Sequence, residues 1–429
     1  MEDINNKEEY ELIRERIKTR PINRKKLFRR TVITAAMAVI FGVLACITFI
    51  VLEPVFSNML APEETPVPNK VEIPLDEDEM LPVDMIVDDK VEQQPQIIIQ
   101  ETEKSSLGLK DYSNLYNDLY GLSRNCQRSI VTVAGVKKDV DWFNNSYESQ
   151  NITTGLIVAN NGIELLILTD SAMISNSEEI ELTFFNELVV NGTIKQIDKN
   201  TGLAIVAVPV TELTATVLDP ENIARLGNSK TTRLFASPAF AMGRPLGNVV
   251  SIEQGMITSK GQVINKPDNN YELFSTDMNG NSNSNGIIYN YDGEVIGLIY
   301  QNNDLFSQNT LTLIGITDLK KTIERMSNGK IRSKLGIIGT DVAAEAVLQG
   351  IPSGAFVKNI EMGSPAMKAG IQSGDVITKI DGYEITTFAV YTEAISQREP
   401  GEEIVITLQR RSGETYQELE LSVVLGEEQ

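Results

Sequence analysis

Residues 363–385, GSPAMKAGIQSGDVITKIDGYEI, decide how the C-terminal part of the chain folds. Ser364 and Pro365 form a pair typical of a helix start, because serine caps the free N–H groups and proline lacks one. The alternating run DVITKIDG, which follows a turn, is typical of a strand. The stretch therefore predicts a short helix, a turn and a partly buried strand in close succession.

The same mixture of short strands and helices continues outward from this stretch. We predict further strands at KLGIIGTDV, GAFVKNI, IVITLQR and TYQELELSVV, and a second helix at FAVYTEAISQ. Residues 333–427 are thus expected to form a compact α/β domain.

The preceding region, residues 107–330, is predicted to be mostly β-structure. Short apolar or alternating runs such as SIVTVAGV, IELLILT and LAIVAVPV are separated by turn signals such as Asn161-Gly162. A region of this length suits one β-sandwich or a pair of β-barrels. One helix is predicted over 318–329, with Asp318 as its cap and Asn328-Gly329 at its end.

The N-terminal part of the chain predicts a membrane anchor. Residues 31–52 form an uncharged apolar run that would span about 33 Å as a helix, enough for the hydrocarbon core of a bilayer. Nine Lys or Arg lie in residues 14–30, whereas the other side of the run is acidic. Residues 1–30 are therefore expected to be a basic cytoplasmic segment and the folded domains to be extracytoplasmic. A cleavable signal peptide is the alternative, but its apolar core would be shorter.

Residues 53–106 are expected to be an acidic, proline-containing linker. Between residues 61 and 106 the sequence has six Pro, and thirteen Asp or Glu against three Lys. Such a composition repels itself and buries little apolar surface. The short apolar patch QPQIIIQ, residues 94–100, is the exception and has the pattern of a strand added to a sheet.

The overall composition argues against several classes of function. A formal charge of −21 in 429 residues disfavours nucleic acid as a partner, because phosphates are bound by Lys and Arg. The chain has no histidine and two cysteines, and its acidic residues are scattered. The sequence therefore favours neither a metal site nor a disulfide framework, and no cofactor is expected.

Two parts of the chain resemble known families. Residues 363–385 are similar to the C-terminal half of a PDZ domain, and KLGIIG resembles its carboxylate-binding loop. Residues 128–328 resemble the trypsin-like domain of the HtrA/Deg family of membrane-anchored or periplasmic quality-control serine proteases, through TTGLIVANNG, LILTDSAMI, DKNTGLAIVAV, AMGRPLGN and YNYDGEVIGL. The resemblance implies an all-β trypsin-like double β-barrel followed by an α/β PDZ domain. It also implies homotrimers, or mixed trimers with an active relative.

The sequence departs from the family pattern at the catalytic positions. By resemblance, Ser284 in SNSNGII stands where the family has its nucleophile in GNSGGPL. Ala172 occupies the position of the family's catalytic histidine and Gly202 that of its aspartate. Ser282 and Asn285 replace two glycines beside the nucleophile, so the oxyanion hole is also expected to be altered.

These departures bear directly on catalysis. A serine hydroxyl needs a base to take its proton, and the base needs a third group to orient it. Since both partner positions are emptied and the chain has no histidine, the sequence favours a pseudoprotease in which Ser284 is a turn residue. Two alternatives keep an active endopeptidase: a lysine base, Lys260 or Lys266, or a base donated by a partner subunit.

The PDZ-like domain, in contrast, keeps its recognition residues. Such a groove binds an extended C-terminus as an added strand, and backbone N–H groups of a tight loop hold the carboxylate. By resemblance, the loop is formed by Leu335, Gly336 and Ile337, aided by Lys334, and the opposite wall by Tyr391 and Ile395. Plain core packing is the alternative role for these residues.

Together these observations predict a single-pass membrane protein that binds protein C-termini or unfolded peptides at the cell envelope. It would act as a scaffold, sensor or regulator. The alternatives are an active serine endopeptidase of envelope quality control and a purely structural envelope protein with an empty groove.

Overall fold

The computed structural model describes residues 25, 28–29, 32–45, 48, 68–76, 108–140, 146–301, 309–413 and 415–428. The chain divides into two compact units, Met1–Pro66 and Val67–Gln429. In the first unit, residues 32–45 are helical. Among the described residues, no helix combines the length and the apolar character that crossing a bilayer requires. The predicted anchor, residues 31–52, lies partly outside the described residues, and the patch at 94–100 lies entirely outside them.

The second unit begins its regular structure with a helix and an antiparallel sheet. The helix is α1 (Leu109–Gln127), and the strands are β1 (Ile130–Val140), β2 (Ser146–Asn160), β3 (Glu164–Asp170), β4 (Glu179–Thr183), β5 (Val189–Asn191), β6 (Thr193–Asp198) and β7 (Leu203–Pro209). The strand order is β5-β4-β1-β2-β3-β7-β6. Helix α1 is not among the predicted helices; Leu119, Leu122 and Cys126 recur at helical spacing along it and contact the core.

Strands β5 and β6 form the two edges of this sheet, yet only Gly192 separates them in sequence. Because β5 pairs with β4 and β6 with β7, one bent strand joins both edges and closes the sheet into a barrel. A Cβ atom at position 192 would lie 2.5 Å from Leu182 Cδ1 and 2.5 Å from Val206 Cγ1. A side chain at the bend would therefore have to displace both neighbouring side chains.

The second barrel follows directly. Its strands are β8 (Pro238–Arg244), β9 (Ser251–Lys266), β10 (Asn269–Asn279), β11 (Asn285–Asn290), β12 (Val295–Ile299) and β13 (Thr310–Gly315). They close in the order β10-β13-β12-β11-β8-β9. A continuous apolar cluster that includes Leu156 and Ile205 from the first barrel and Phe240 and Leu273 from the second joins the two. The pair of barrels agrees with the expected trypsin-like fold.

Helix α2 (Ile316–Ser327) packs on the barrels and begins two residues before its predicted start. The prediction that Asp318 caps it is wrong. Strand β13 runs straight into the helix, so Asp318 lies in the first turn, where its Oδ2 accepts from Glu272 N at 2.7 Å. The predicted end is confirmed, since Asn328 is the C-terminal cap and Gly329 has a left-handed φ of 65°.

Part of the predicted linker, residues 68–76, packs against α2. Val71 and Ile73 are buried in the core that the two barrels share. Asn328 exchanges hydrogen bonds of 2.9 and 2.8 Å with the backbone of Val71, and Lys320 Nζ lies 2.6 Å from Asp76 Oδ1. These nine residues therefore depart from the expectation of a linker that buries little apolar surface, because Val71 and Ile73 find a partner surface.

The C-terminal domain has the predicted α/β organisation. Its elements are β14 (Ser333–Lys334), β15 (Ile337–Asp341), α3 (Ala344–Leu348), β16 (Ala355–Ile360), α4 (Pro365–Ala369), β17 (Val376–Ile380), β18 (Tyr383–Glu384), α5 (Phe388–Ser396), β19 (Glu403–Ser412), β20 (Thr415–Val424) and β21 (Gly426–Glu427). The main sheet runs β15-β16-β17-β19-β20, with β18 paired to β17. Ser364 caps α4, as predicted, and Gly370 ends the helix with a φ of 86°. Strand β15 is an edge of this sheet, which leaves one side of it for another strand.

Candidate functional site

The Ser284 side chain points into its own loop. Its hydroxyl donates a close hydrogen bond to the Pro245 carbonyl and accepts one of 2.8 Å from Asn281 N. Asn281 in turn donates from Nδ2 to Leu246 O at 2.8 Å. The residue is 7% exposed. The hydroxyl therefore ties the turn before β11 to the turn after β8, and its proton is engaged by a backbone carbonyl.

The backbone N–H group of Ser284 is also engaged in a hydrogen bond within the loop. Ser284 N donates to Asn281 O at 3.1 Å, whereas an oxyanion hole requires such N–H groups to face the reacting oxygen. The next residue, Asn285, accepts from Thr154 N at 3.0 Å and from Thr154 Oγ1 at 2.8 Å through its side-chain oxygen. This link from β11 to β2 was not predicted from the sequence.

Ala172 and Gly202, which were predicted to occupy the positions of the family's histidine and aspartate, lie just after β3 and just before β7. Ala172 sits in a single 3-10 turn whose N-terminus is capped by Asp170 Oδ1, 2.8 Å from Ala172 N. Gly202 has a left-handed φ of 74° and accepts a 2.8 Å hydrogen bond from Ser171 N. A Cβ atom at Gly202 would meet no described atom within 4 Å. A side chain at Gly202 would therefore have room.

A cleft of about 310 Å³ lies between Gly202 and Ser284, and Ala172 is not among the residues that line it. Ser284, Gly202 and Asp170 line it together with Thr169 and Thr201. Among the described residues that line the cleft, Asp170 and Tyr300 are the ionisable ones. Burial raises the pKa of Asp170, partly offset by its hydrogen bond from Ala172 N. The predicted alternative bases, Lys260 and Lys266, do not line this cleft.

The predicted carboxylate loop holds a carboxylate that belongs to the chain itself. Asp268, in the turn between β9 and β10, accepts from Leu335 N at 2.8 Å and Gly336 N at 2.6 Å through Oδ2. Its Oδ1 accepts from Ile337 N at 2.9 Å. Gly336 adopts a φ of 88°, and a Cβ there would lie 2.3 Å from Ser364 Cβ. The three predicted loop residues thus converge on one anion.

Of the two residues predicted for the opposite wall of the groove, Tyr391 contacts Asp268. The Tyr391 hydroxyl donates a close hydrogen bond to Asp268 Oδ1, and burial together with that carboxylate raises the Tyr391 pKa well above its usual value. Ile395 is buried in the domain core, and its carbonyl accepts from Ser333 Oγ at 2.6 Å. Lys334 pairs with Glu361 at 2.8 Å instead of reaching the loop anion.

Sequence reasoning missed Asp268. The turn signal Pro267-Asp268 is readable in the sequence, but its partners are 67 to 69 residues away. No local pattern connects a hairpin turn in one domain with a binding loop in the next. The residue could be found only by a structure in which both domains are present.

Comparisons with known proteins agree with this two-domain organisation. Residues 153–298 match the Trypsin-like peptidase domain and residues 316–423 match the PDZ domain. The chain is 27% identical over 289 residues to the "Probable periplasmic serine endoprotease DegP-like" of Hahella chejuensis, covering 65% of this chain and 58% of that protein. It is 25% identical over 333 residues to the "Serine protease Do-like HtrA" of Lactobacillus helveticus, covering 72% and 74%.

The chain aligns with only part of the length of some relatives. The chain spans 58% of the Hahella chejuensis protein and 52% of a similarly named protein of Pseudomonas fulva. Among solved structures, "HtrA-type protease AlgW with decapeptide" has a TM-score of 0.52 at 18% identity and covers 72% of this chain and 98% of that one. The chain therefore combines a trypsin-like peptidase domain with a PDZ domain, and in this organisation it resembles the HtrA- and DegP-type proteins to which it is similar.

Proposed function

We propose that this chain is a membrane-anchored, HtrA-like pseudoprotease whose PDZ domain binds protein C-termini or unfolded peptides. It works at the cell envelope as a scaffold, sensor or regulator of its partners. The observation that carries the proposal is the hydrogen bonding of Ser284, whose hydroxyl donates to the Pro245 carbonyl. A nucleophile must instead give its proton to a base, and neither Ala172 nor Gly202 supplies one.

The envelope location rests on the basic residues of segment 1–30 and the apolar run that follows them. It is supported by the description of several relatives as periplasmic. Assembly as a homotrimer, or as a mixed trimer with an active relative, is part of the same proposal. Light scattering on the purified full chain measures the number of subunits directly.

The inactive state of the trypsin-like domain is tested with a fluorophosphonate probe, which labels activated serines. We expect the full chain to remain unlabelled and to leave unfolded casein intact, while an active trypsin-fold protease reacts under the same conditions. Labelling of the chain that disappears in Ser284→Ala would contradict the proposal. That result would favour the second candidate, a serine endopeptidase with an unusual base, for which Asp170 lies in the same cleft.

The peptide-binding half is tested by fluorescence anisotropy with labelled decapeptides that end in Val, Ile, Leu or Phe. Each peptide is compared with its C-terminally amidated twin, because the loop N–H groups recognise a carboxylate. We expect saturable binding of the free acids and none of the amides. Equal binding of both forms would show that the groove does not read C-termini.

A further inference from the structure

Both oxygens of the Asp268 carboxylate have their full number of hydrogen-bond donors, and all of these donors belong to the PDZ domain. Oδ2 accepts from Leu335 N and Gly336 N, and Oδ1 accepts from Ile337 N and the Tyr391 hydroxyl. Two donors for each oxygen match the four lone-pair positions of a carboxylate. Since a peptide's C-terminal carboxylate would need the same donors, the two anions exclude each other.

The backbone of Asp268 also imitates a bound terminal residue. Asp268 N donates to Ile337 O at 2.7 Å, which is the kind of contact made when a strand is added to the free edge of β15. Asn270 Nδ2 donates to Gly339 O at 3.3 Å, further along the same edge. One residue therefore provides both the carboxylate and the first backbone hydrogen bond that a C-terminal residue would make.

The turn that presents Asp268 is held by the groove and its surroundings. Asp268 is 2% exposed and has a φ of 56°, a left-handed conformation that few residues other than glycine adopt without cost. Arg332 Nη2 donates to the Asp268 carbonyl at 3.0 Å, and Lys358 Nζ lies 3.2 Å from Asn265 Oδ1. A buried anion persists only where its surroundings compensate for it, and here three loop N–H groups and the Tyr391 hydroxyl do so.

We infer that Asp268 is a resident ligand of the PDZ domain, and that an external C-terminus binds only by displacing the turn of residues 266–269. The inference rests on the proposed peptide-binding function and adds a regulator to the same site. The apparent affinity for external peptides is then reduced by the fraction of molecules whose loop is occupied. The partner class remains a free C-terminus with an apolar last residue, because Leu335, Ile337 and Tyr391 lie around the loop.

The test compares the full chain with Asp268→Asn. Asparagine tolerates the left-handed turn but presents an NH₂ group where the carboxylate accepts hydrogen bonds, so it should leave the loop. Asp292→Asn, at an exposed turn of the same domain, is the matched control. Peptide affinity is measured with the free-acid and amidated decapeptides that end in Val, Ile, Leu or Phe. Hydrogen exchange is followed at the amides of residues 335–337, with strands β19 and β20 as the internal reference for folding.

We expect Asp268→Asn to bind the free-acid peptides about tenfold more tightly than the unchanged chain or Asp292→Asn. Exchange at residues 335–337 should also become about tenfold faster while β19 and β20 keep their protection. Equal peptide affinity of the variant and the unchanged chain would overturn the inference. If no variant binds any peptide, faster exchange at the loop supports the resident ligand and refutes the peptide-binding function. Unchanged exchange in that case overturns the resident ligand as well.

Discussion

At the scale of single residues, the Ser284 side chain makes structural hydrogen bonds. It is buried, donates to the carbonyl of Pro245 and accepts from Asn281 N. The bond to Pro245 links two loops, and the bond from Asn281 lies within the turn that holds Ser284. A buried hydroxyl with two partners contributes to stability chiefly because its removal leaves those partners without hydrogen bonds.

Ser284→Ala should therefore lower the free energy of unfolding by about 1 to 3 kcal/mol. The measurement is the shift of the urea midpoint of the trypsin-like domain. Ser282→Ala, two residues earlier and exposed, is the control and should change the free energy by less than about 0.5 kcal/mol. Equal stability of Ser284→Ala and the unchanged chain would mean that the hydroxyl is held for another purpose.

At the scale of elements, the first barrel depends on a bend between two short strands. β5 pairs with β4 and β6 pairs with β7, at opposite ends of the strand order, and Gly192 lies between β5 and β6 in sequence. The bend brings its Cα so close to Leu182 and Val206 that a methyl group would overlap both side chains. Closure of the barrel thus depends on one small residue, although the alternating pattern alone predicts the strands.

Gly192→Ala should lower the free energy of unfolding by about 1 to 3 kcal/mol, because overpacking forces neighbouring side chains from their preferred rotamers. Gly121→Ala, in the middle of α1 with open space around its Cα, should instead be neutral or stabilising, since alanine favours a helix. Urea denaturation of the two variants checks both signs. A neutral Gly192→Ala would show that the barrel has room at the bend.

At the scale of the whole molecule, the two domains meet through polar contacts around the β9–β10 hairpin. Asp268 enters the PDZ loop, and Arg332 donates to its carbonyl. Tyr271, on β10 behind this turn, is 1% exposed, and burial raises its pKa to about 12. The ionisation of Tyr271 is therefore expected to change the free energy of unfolding.

The raised pKa of Tyr271 predicts an alkaline loss of stability with a definite sign. The folded state binds the phenol proton more tightly than the unfolded state does. The contribution of Tyr271 to the free energy of unfolding is therefore fully present below about pH 10 and is lost as the pH rises through about 12. The loss attributable to this group is about 2 kcal/mol, and Tyr271→Phe should abolish it. Urea midpoints at pH 9 and pH 11.5 measure the difference, with the exposed Tyr383→Phe as the control. Parallel curves for Tyr271→Phe and the unchanged chain would refute this.

Most strands and several helix ends could be predicted from the sequence, whereas helix α1 could not. The strand patterns, the Ser364-Pro365 helix start and the Asn328-Gly329 helix end are local, and the structure reproduces them. Each depends on dihedral preferences and hydrogen bonds within a few residues, so short stretches of sequence carry the information. The prediction that Ala172 and Gly202 stand at the positions of the family's histidine and aspartate also came from local sequence motifs.

The directions of the buried polar side chains depend on tertiary packing. The Ser284 hydroxyl meets a carbonyl 39 residues away, and the Asp268 carboxylate meets amides 67 to 69 residues away. Asp318, predicted as a cap, is drawn instead to the backbone of β10. A buried polar group takes whichever partners the packing of distant elements brings within about 3 Å. Local sequence patterns contain no information about that packing.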